Sequence, residues 1–223
     1  MYLDELGPPQ IRCEQGALYV LTGGMKADKT KHFAGYFDRL SHTDIRWQVF
    51  KPKSDYRPEL HEKFGGIPKN YIVSRTGLAI PATLIDDKGS LDDLQELLDP
   101  NAEVYGFEES HLYLEPKKLE GIILEQFYEK NKAVVISSLD RDFRGVDFKI
   151  TSNLMVHATK IDKLYGWCDI GSCNEAGMLS QRIVDGKPAH YNDDVILVGA
   201  SEAYEVRCIR HHEVPGKPSY NSR

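Results

Sequence analysis

The chain has 223 residues, of which 41% are hydrophobic and 28% are charged, and these fractions are typical of a globular protein. Its formal net charge of −6 argues against nucleic acid and anionic membranes as partners, and no apolar run approaches the roughly 20 residues of a membrane-spanning helix. The N-terminal residues lack the basic and apolar regions of a signal peptide, so we expect a cytoplasmic protein whose four cysteines form no structural disulfides.

The first predicted strand leads into a turn that carries charged and hydroxyl side chains. An apolar run over residues 18–21 ends at Gly23 and Gly24, and the pair Lys29 and Thr30 opens a segment with apolar residues at helical spacing. A strand, a glycine turn and a helix start are the arrangement that wraps backbone N–H groups around a phosphate. The lysine would face the β- and γ-phosphates, and the threonine hydroxyl would lie where Mg²⁺ has a ligand.

One position departs from the usual phosphate-loop pattern. Glycine normally precedes the lysine, and here that residue is Asp28. The pattern alone therefore leaves two interpretations open, a phosphate loop and an ordinary strand–turn–helix.

Strand and helix signals then alternate along the chain. The predicted strands cover residues 45–50, 71–77, 103–107 and 133–140. Between them we expect an exposed loop to Asn70, a helix opened by a capping box at Ser90, and a helix with one apolar face over residues 119–127. This alternation predicts an α/β fold, a parallel sheet with helices on both faces, for residues 1–160.

Acidic side chains follow the predicted strand at residues 103–107, at the end of the strand where ligands bind in parallel sheets. Phosphoryl transfer to an alcohol needs a cradle for the triphosphate, a divalent ion, and a carboxylate that accepts the hydroxyl proton. Beside a phosphate loop, Glu108 and Glu109 supply the last two functions, with Arg57 as a further cation. Taken alone, two glutamates at a strand end are more often a solvated terminus.

The C-terminal part, residues 161–223, is predicted to be a second, β-rich domain that holds a metal. Two closely spaced ligand pairs are separated by a hairpin-sized segment, and zinc is usually held in this way. The four candidate ligands are Cys168, Cys173, Cys208 and His211. His212 is an alternative to His211, and buried thiols beside a chance histidine are the other interpretation. Four protein ligands would leave no open position for a catalytic water, so the zinc would be structural.

The order of these motifs resembles the type II thymidine kinases, which are zinc-containing and tetrameric. The resemblance covers about residues 16–212. It rests on residues 16–25 with Lys29 and Thr30, on Lys51-Pro52-x-x-Asp55-x-Arg57, on residues 73–77, 106–109, 139–148 and 180–182, and on residues 198–211.

The resemblance implies a RecA-like P-loop core, Mg²⁺ with ATP, structural Zn²⁺, a homotetramer, and transfer of the γ-phosphate of ATP to the 5′-hydroxyl of thymidine in pyrimidine salvage for DNA synthesis. It makes Glu109 the catalytic base, and Thr30 and Glu108 the magnesium residues. The implied phosphate-binding residues are Gly23, Gly24, Met25, Lys26, Ala27, Asp28, Lys29, Thr30 and Arg57. The implied thymidine-binding residues are Met25, Leu139, Phe143, Phe148, Ser180, Val195, Leu197, Gly199 and Tyr204.

Several positions depart from the family. Asp28 replaces the loop glycine, Glu108 replaces an aspartate, His111 a glutamine, Leu112 an aromatic residue and Ser180 a threonine. Two alternatives to the active kinase follow. One is a weakened relative that binds nucleosides or nucleotides without efficient turnover, and the other is a zinc-ribbon interaction protein with an α/β scaffold, in which Phe143 and Phe148 are plain core residues.

Overall fold

A computed structural model describes residues 16–195 and 204–219, so Leu197 and Gly199 lie outside the described residues. The strands are β1 (Ala17–Gly23), β2 (Trp47–Pro52), β3 (Tyr71–Val73), β4 (Ala79–Pro81), β5 (Thr83–Ile85), β6 (Val104–Phe107), β7 (Ala133–Leu139), β8 (Lys160–Leu164), β9 (Gly166–Trp167), β10 (Ala176–Gly177), β11 (Leu179–Val184), β12 (Lys187–Pro188) and β13 (Tyr204–Arg207). The helices are α1 (Lys29–Leu40), α2 (Pro58–Lys63), α3 (Leu94–Leu97), α4 (Pro116–Tyr128) and α5 (Lys149–His157). No described helix has the length and apolar character needed to cross a membrane.

The core is a six-stranded sheet in the order β5-β2-β6-β7-β1-β8, with every neighbouring pair parallel. Side chains of β1 alternate between two apolar clusters, because successive residues of a strand face opposite sides of the sheet. Leu18 and Val20 pack in a cluster that includes residues of α4 and α5, whereas Tyr19 and Leu21 pack with residues of α1. The predicted α/β fold with helices on both faces is therefore confirmed.

Gly106 in β6 allows α1 to lie close to the sheet. A Cβ atom at this position would be 2.5 Å from the ring of Phe37 and 2.9 Å from that of Phe33. Atoms cannot pack at these distances, so a larger residue would push the helix away. This contact helps to set the position of the helix that begins at Lys29.

The C-terminal part is built from short antiparallel pairs. β9 pairs with β10, and β11 pairs with both β12 and β13. A tight turn joins β11 to β12, with Asp185 and Gly186 both at positive φ. The proposed domain boundary after residue 160 falls inside β8, which belongs to the central sheet.

Two local expectations differ from the structure. The loop expected up to Asn70 contains α2, in which His61 is buried and donates a hydrogen bond from Nδ1 to the carbonyl of Ile67. The helix expected from Ser90 is limited to α3, because the Ser90 hydroxyl exchanges hydrogen bonds with Asp92 and makes a local turn instead of a capping box.

Candidate functional site

The phosphate loop connects β1 to α1 at the carboxyl edge of the sheet. Lys26 and Asp28 both adopt the left-handed conformation, with φ of 55° and 58°, and Asp28 is the residue that precedes α1. The ammonium of Lys29 is buried and donates a 2.8 Å hydrogen bond to the carbonyl of Gly24 across the loop. The loop is therefore curled around its own lysine at the N-terminus of a 12-residue helix, where an anion is favoured.

Lys29 lies in a strongly electrostatic environment. Burial lowers its pKa, and the nearby carboxylates of Glu109 and Asp140 oppose that effect. Because β7 lies between β1 and β6 in the parallel sheet, the residues at the carboxyl ends of β6 and β7 lie on the same edge of the sheet as the loop. The predicted lysine and the predicted base thus share one site.

Three carboxylates, those of Asp55, Glu108 and Glu109, form a cluster whose ligand atoms lie within 4.8 Å of one another. Both carboxylate oxygens of Glu108 are buried and have no hydrogen-bond partner among the described residues. Burial raises the pKa of Glu108 from 4.5 to about 8, and the carboxylates of Asp55 and Glu109 add to this. Unpaired, buried oxygen ligands suit Mg²⁺, which is held in proteins by one or two carboxylates together with substrate phosphates.

The sequence-based site did not include Asp55. The signal was present, since this residue belongs to the Lys51-Pro52-x-x-Asp55-x-Arg57 motif. What the motif could not give was the position of β2 next to β6, which brings Asp55 to the two glutamates.

Glu109 lies at the start of a short 3₁₀ turn, and Arg57 pairs with its carboxylate. It has a φ of 47°, and one carboxylate oxygen lies 3.3 Å from the guanidinium of Arg57 while the other lies 3.5 Å from Nδ1 of His111. Arg57 also makes a 2.8 Å ion pair with Asp55. Arg57, which the sequence predicted to bind phosphate, thus forms ion pairs with two of the three clustered carboxylates.

His111, where the family has a glutamine, is a neutral buried side chain. Its Nδ1 accepts a 3.2 Å hydrogen bond from the backbone N–H of Leu139, and its ring lies 4.8 Å from that of Phe148. Burial and the charge of Lys29 lower its pKa to about 3. It therefore adds no positive charge to the site at neutral pH.

A cleft of about 580 Å³ joins these groups to the C-terminal part. Its volume is in the range of small-molecule sites. The predicted site residues that line it are Met25, Lys26, Ala27, Asp28, Lys29, Thr30, Arg57, Glu109, Leu139, Phe143, Phe148, Ser180, Val195 and Tyr204. Glu108 lines a small adjoining cavity together with Thr30 and Asp55.

Aromatic side chains line the part of the cleft that is next to the C-terminal segments. Phe143 lines the cleft although only 1% of its surface is exposed, and the guanidinium of Arg182 lies 5.6 Å above its ring. The hydroxyl of Ser180 accepts a 3.2 Å hydrogen bond from the backbone of Met25, so the two predicted segments touch directly. Aromatic side chains that line a cleft beside a phosphate loop suit a planar base.

Cys168, Cys173, Cys208 and His211 form one cluster, as the sequence predicted. Sγ of Cys173 and Sγ of Cys208 are 3.9 Å apart, and Nδ1 of His211 lies 3.3 Å and 3.5 Å from the sulfurs of Cys208 and Cys168. Tetrahedral zinc with bonds of about 2.0–2.3 Å separates its ligand atoms by roughly 3.5–3.8 Å, so the donor set fits zinc. His212 is not part of the cluster, since its Nε2 lies 2.8 Å from the carbonyl of Phe143.

Comparison with known proteins agrees with this geometry. The sequence profile of the thymidine kinase family matches residues 16–212. The chain belongs to the thymidine kinase family. A protein of Coprothermobacter proteolyticus named thymidine kinase is 32% identical, over 93% of this chain and 96% of the relative. Relatives with the same name from Ureaplasma parvum and Roseiflexus sp. are 31% and 33% identical, over 93% and 86% of this chain and 87% and 93% of their own lengths.

Membership of the thymidine kinase family favours the phosphate loop over an ordinary strand–turn–helix. It also favours an enzyme over an interaction protein with an α/β scaffold. Within the family, the departures at Asp28, Glu108 and His111 all lie at the phosphate end of the site, within the loop or beside Glu109.

Proposed function

We propose that this chain transfers the γ-phosphate of ATP to the 5′-hydroxyl of thymidine. The observation that carries the proposal is that one cleft contains Lys29, Glu109 and the aromatic pair Phe143 and Phe148. Phosphoryl transfer depends on positioning and electrostatics more than on covalent chemistry, and these groups supply both. The named relatives support thymidine as the nucleoside.

In this proposal the phosphate loop binds the triphosphate through its backbone from Gly23 to Thr30, and Lys29 and Arg57 balance its charge. Glu109 accepts the proton of the 5′-hydroxyl. Arg57 pairs with one oxygen of Glu109 at 3.3 Å, and this contact orients the carboxylate before substrate binds.

A divalent ion fits beside Asp55 and Glu108, the two members of the carboxylate cluster other than the proposed base, with the Thr30 hydroxyl nearby. Mg²⁺ would supply charge neutralisation between the β- and γ-phosphates. Glu108 would then ionise and hold the ion, and Asp55 would share that role. Glu109 remains free for the substrate hydroxyl in this assignment.

For thymidine we propose that Phe143 and Phe148 contact the base, with Met25, Leu139, Ser180 and Tyr204 around its 5-methyl group. Backbone groups of Val195, Leu197 and Gly199 would bind the polar edge of the base. A structural zinc on the four C-terminal ligands would keep this segment in shape, since backbone recognition needs a fixed backbone. The two-domain division, the homotetramer, the cytoplasmic location and the role in pyrimidine salvage belong to the same proposal.

The direct test is transfer of labelled γ-phosphate from ATP to thymidine with Mg²⁺. The Glu109→Gln variant keeps the shape of the side chain and removes the base, so we expect kcat to fall by about 10²- to 10⁴-fold while ATP and thymidine still bind in calorimetry. Glu96→Gln, on the exposed side of α3, is the matched control and should keep full activity. Absence of transfer by the wild-type protein at high concentration would refute the proposal.

A further inference from the structure

Several residues of the phosphate loop contact the C-terminal part of the chain. A Cβ atom on Gly23 would lie 2.1 Å from the carbonyl oxygen of Leu164, and one on Gly24 would lie 3.3 Å from that of Met178. The backbone N–H of Met25 binds the hydroxyl of Ser180. The end of β8 and the start of β11 therefore pack directly against the loop.

Lys26 contacts the C-terminal part through an ion pair. Its ammonium forms a 2.7 Å ion pair with Oδ2 of Asp169, and each of the two side chains is 32% exposed. The carbonyl oxygen of Lys26 also lies against Gly166, where an added Cβ would be only 3.1 Å away. Both the backbone and the side chain of this left-handed residue are thus in contact with the C-terminal part.

Asp169 is in turn fixed to the segments that carry the metal ligands. It follows Cys168 directly, its Oδ2 accepts a 2.7 Å hydrogen bond from the backbone N–H of Val206, and its own N–H donates a 2.7 Å bond to the carbonyl of Val206. Val206 precedes Cys208 by two residues on β13. The carboxylate of Asp169 therefore links the phosphate loop to both ligand pairs of the cluster.

We infer that Lys26 is a positioning residue that anchors the phosphate loop to the metal-binding part through Asp169, and that its ammonium does not bind phosphate. This inference deepens the proposed function at its nucleotide end. The ammonium is already engaged in a 2.7 Å ion pair, and losing this pair would free a loop whose geometry depends on two left-handed residues.

Two single variants separate anchoring from phosphate binding. Lys26→Met removes the ammonium, and the free-energy cost of the left-handed backbone conformation stays the same because both residues have unbranched side chains. Asp169→Asn removes the charge and keeps an oxygen that can accept the N–H of Val206. If Lys26 anchors the loop, both variants weaken binding of Mg²⁺·ADP by about three- to fivefold, as expected for a partly exposed ion pair. The double variant is then no worse than either single one, and Lys26→Arg restores affinity.

If Lys26 binds phosphate instead, Asp169→Asn would release it and leave ADP affinity unchanged or improved, and this result would overturn the inference. Additive losses in the double variant would do the same. In steady-state kinetics we expect KM for ATP to rise and KM for thymidine to stay within about twofold. Lys130→Met, which removes the ammonium from an exposed ion pair with Glu125, is the matched control and should change neither constant.

Hydrogen exchange of the amides in residues 24–28 gives a readout that needs no ligand. Both single variants should exchange faster than the wild type in this segment at equal zinc content, and unchanged exchange in Asp169→Asn would refute the anchor. Because exchange and ADP binding are measured without thymidine, a chain that fails to phosphorylate thymidine would refute the proposed function and leave this result standing.

Discussion

At the scale of single residues, Asp28 is a departure from the usual phosphate-loop pattern that is expected to weaken nucleotide binding. It occupies a left-handed conformation that glycine adopts without cost, and it places a carboxylate at the N-terminal end of α1 where phosphate is proposed to bind. A like-charge pair about 5 Å apart costs roughly 3 kcal/mol at an effective dielectric constant of ~20, which corresponds to about a hundredfold in affinity. That figure is an upper bound for a solvent-exposed loop.

We therefore predict that Asp28→Gly lowers KM for ATP by about ten- to a hundredfold and raises stability by up to about 1 kcal/mol. Steady-state kinetics and urea denaturation measure the two effects. Asp28→Asn is the matched variant, because asparagine tolerates the left-handed conformation but carries no charge. It should give most of the kinetic gain and little of the stability gain. An unchanged KM in both variants would contradict the electrostatic argument.

The raised pKa of Glu108 predicts that the stability of the protein depends on pH. Its pKa is about 8 in the folded protein, above the usual 4.5, so the folded state holds a proton that the unfolded state has released between these values. The associated stability is present in full below about pH 4.5 and is lost as pH rises through 8. In magnesium-free buffer, Tm should fall between pH 5 and pH 9, and it should fall less in Glu108→Gln.

Millimolar Mg²⁺ should raise the Tm of the wild type at pH 9 and have a smaller effect on Glu108→Gln, since a divalent ion favours the ionised carboxylate. Glu96→Gln should follow the wild-type curve. Identical pH profiles for the wild type and Glu108→Gln would show that this carboxyl does not control the effect.

At the scale of elements, the contact between α1 and β6 sets the position of the phosphate loop. Gly106→Ala would introduce a methyl group 2.5 Å from Phe37, and relief requires either a shifted helix or a changed rotamer. We predict a loss of about 1–3 kcal/mol in urea denaturation. Gly121→Ala in α4 is the control, because an added Cβ there meets nothing within 4 Å and alanine favours the helix. Equal effects of the two substitutions would refute this packing argument.

At the scale of the whole molecule, the metal cluster holds together segments that are distant in the chain. Cys168 and Cys173 lie before β10, whereas Cys208 and His211 follow β13, so a bound zinc would cross-link the two ends of the C-terminal part. Metal binding of this kind contributes directly to folding.

We predict that His211→Ala abolishes stoichiometric zinc and lowers Tm by at least several degrees, because one of four ligands is lost. His212→Ala should keep about one zinc per chain, since His212 contacts the carbonyl of Phe143 and not the cluster. Metal analysis and thermal denaturation of both variants test this. Retention of zinc by His211→Ala, or its loss from His212→Ala, would contradict the assigned ligand set.

Much of the fold and of the candidate site could be predicted from the sequence, because the sequence patterns that indicate them are local. The strand, glycine turn and helix around Lys29, the apolar run of β7, and the spacing of the cysteines each depend on short-range rules, and the family resemblance joined them. The structure confirmed the α/β fold and brought the four predicted metal ligands into one cluster. Where local rules competed, as in the turn at Ser90, the sequence alone predicted the wrong helix start.

Other properties were decided only by tertiary structure, since they depend on which strands are neighbours. The order β2-β6-β7-β1 brings Asp55 to Glu108 and Glu109, and it buries Glu108 without a partner among the described residues. The choice of His211 over His212, and the ion pair between Lys26 and Asp169 across 143 residues of chain, likewise required the folded arrangement. The spacing of residues in the sequence cannot predict such contacts, because they arise from the packing of the C-terminal segments against the edge of the sheet.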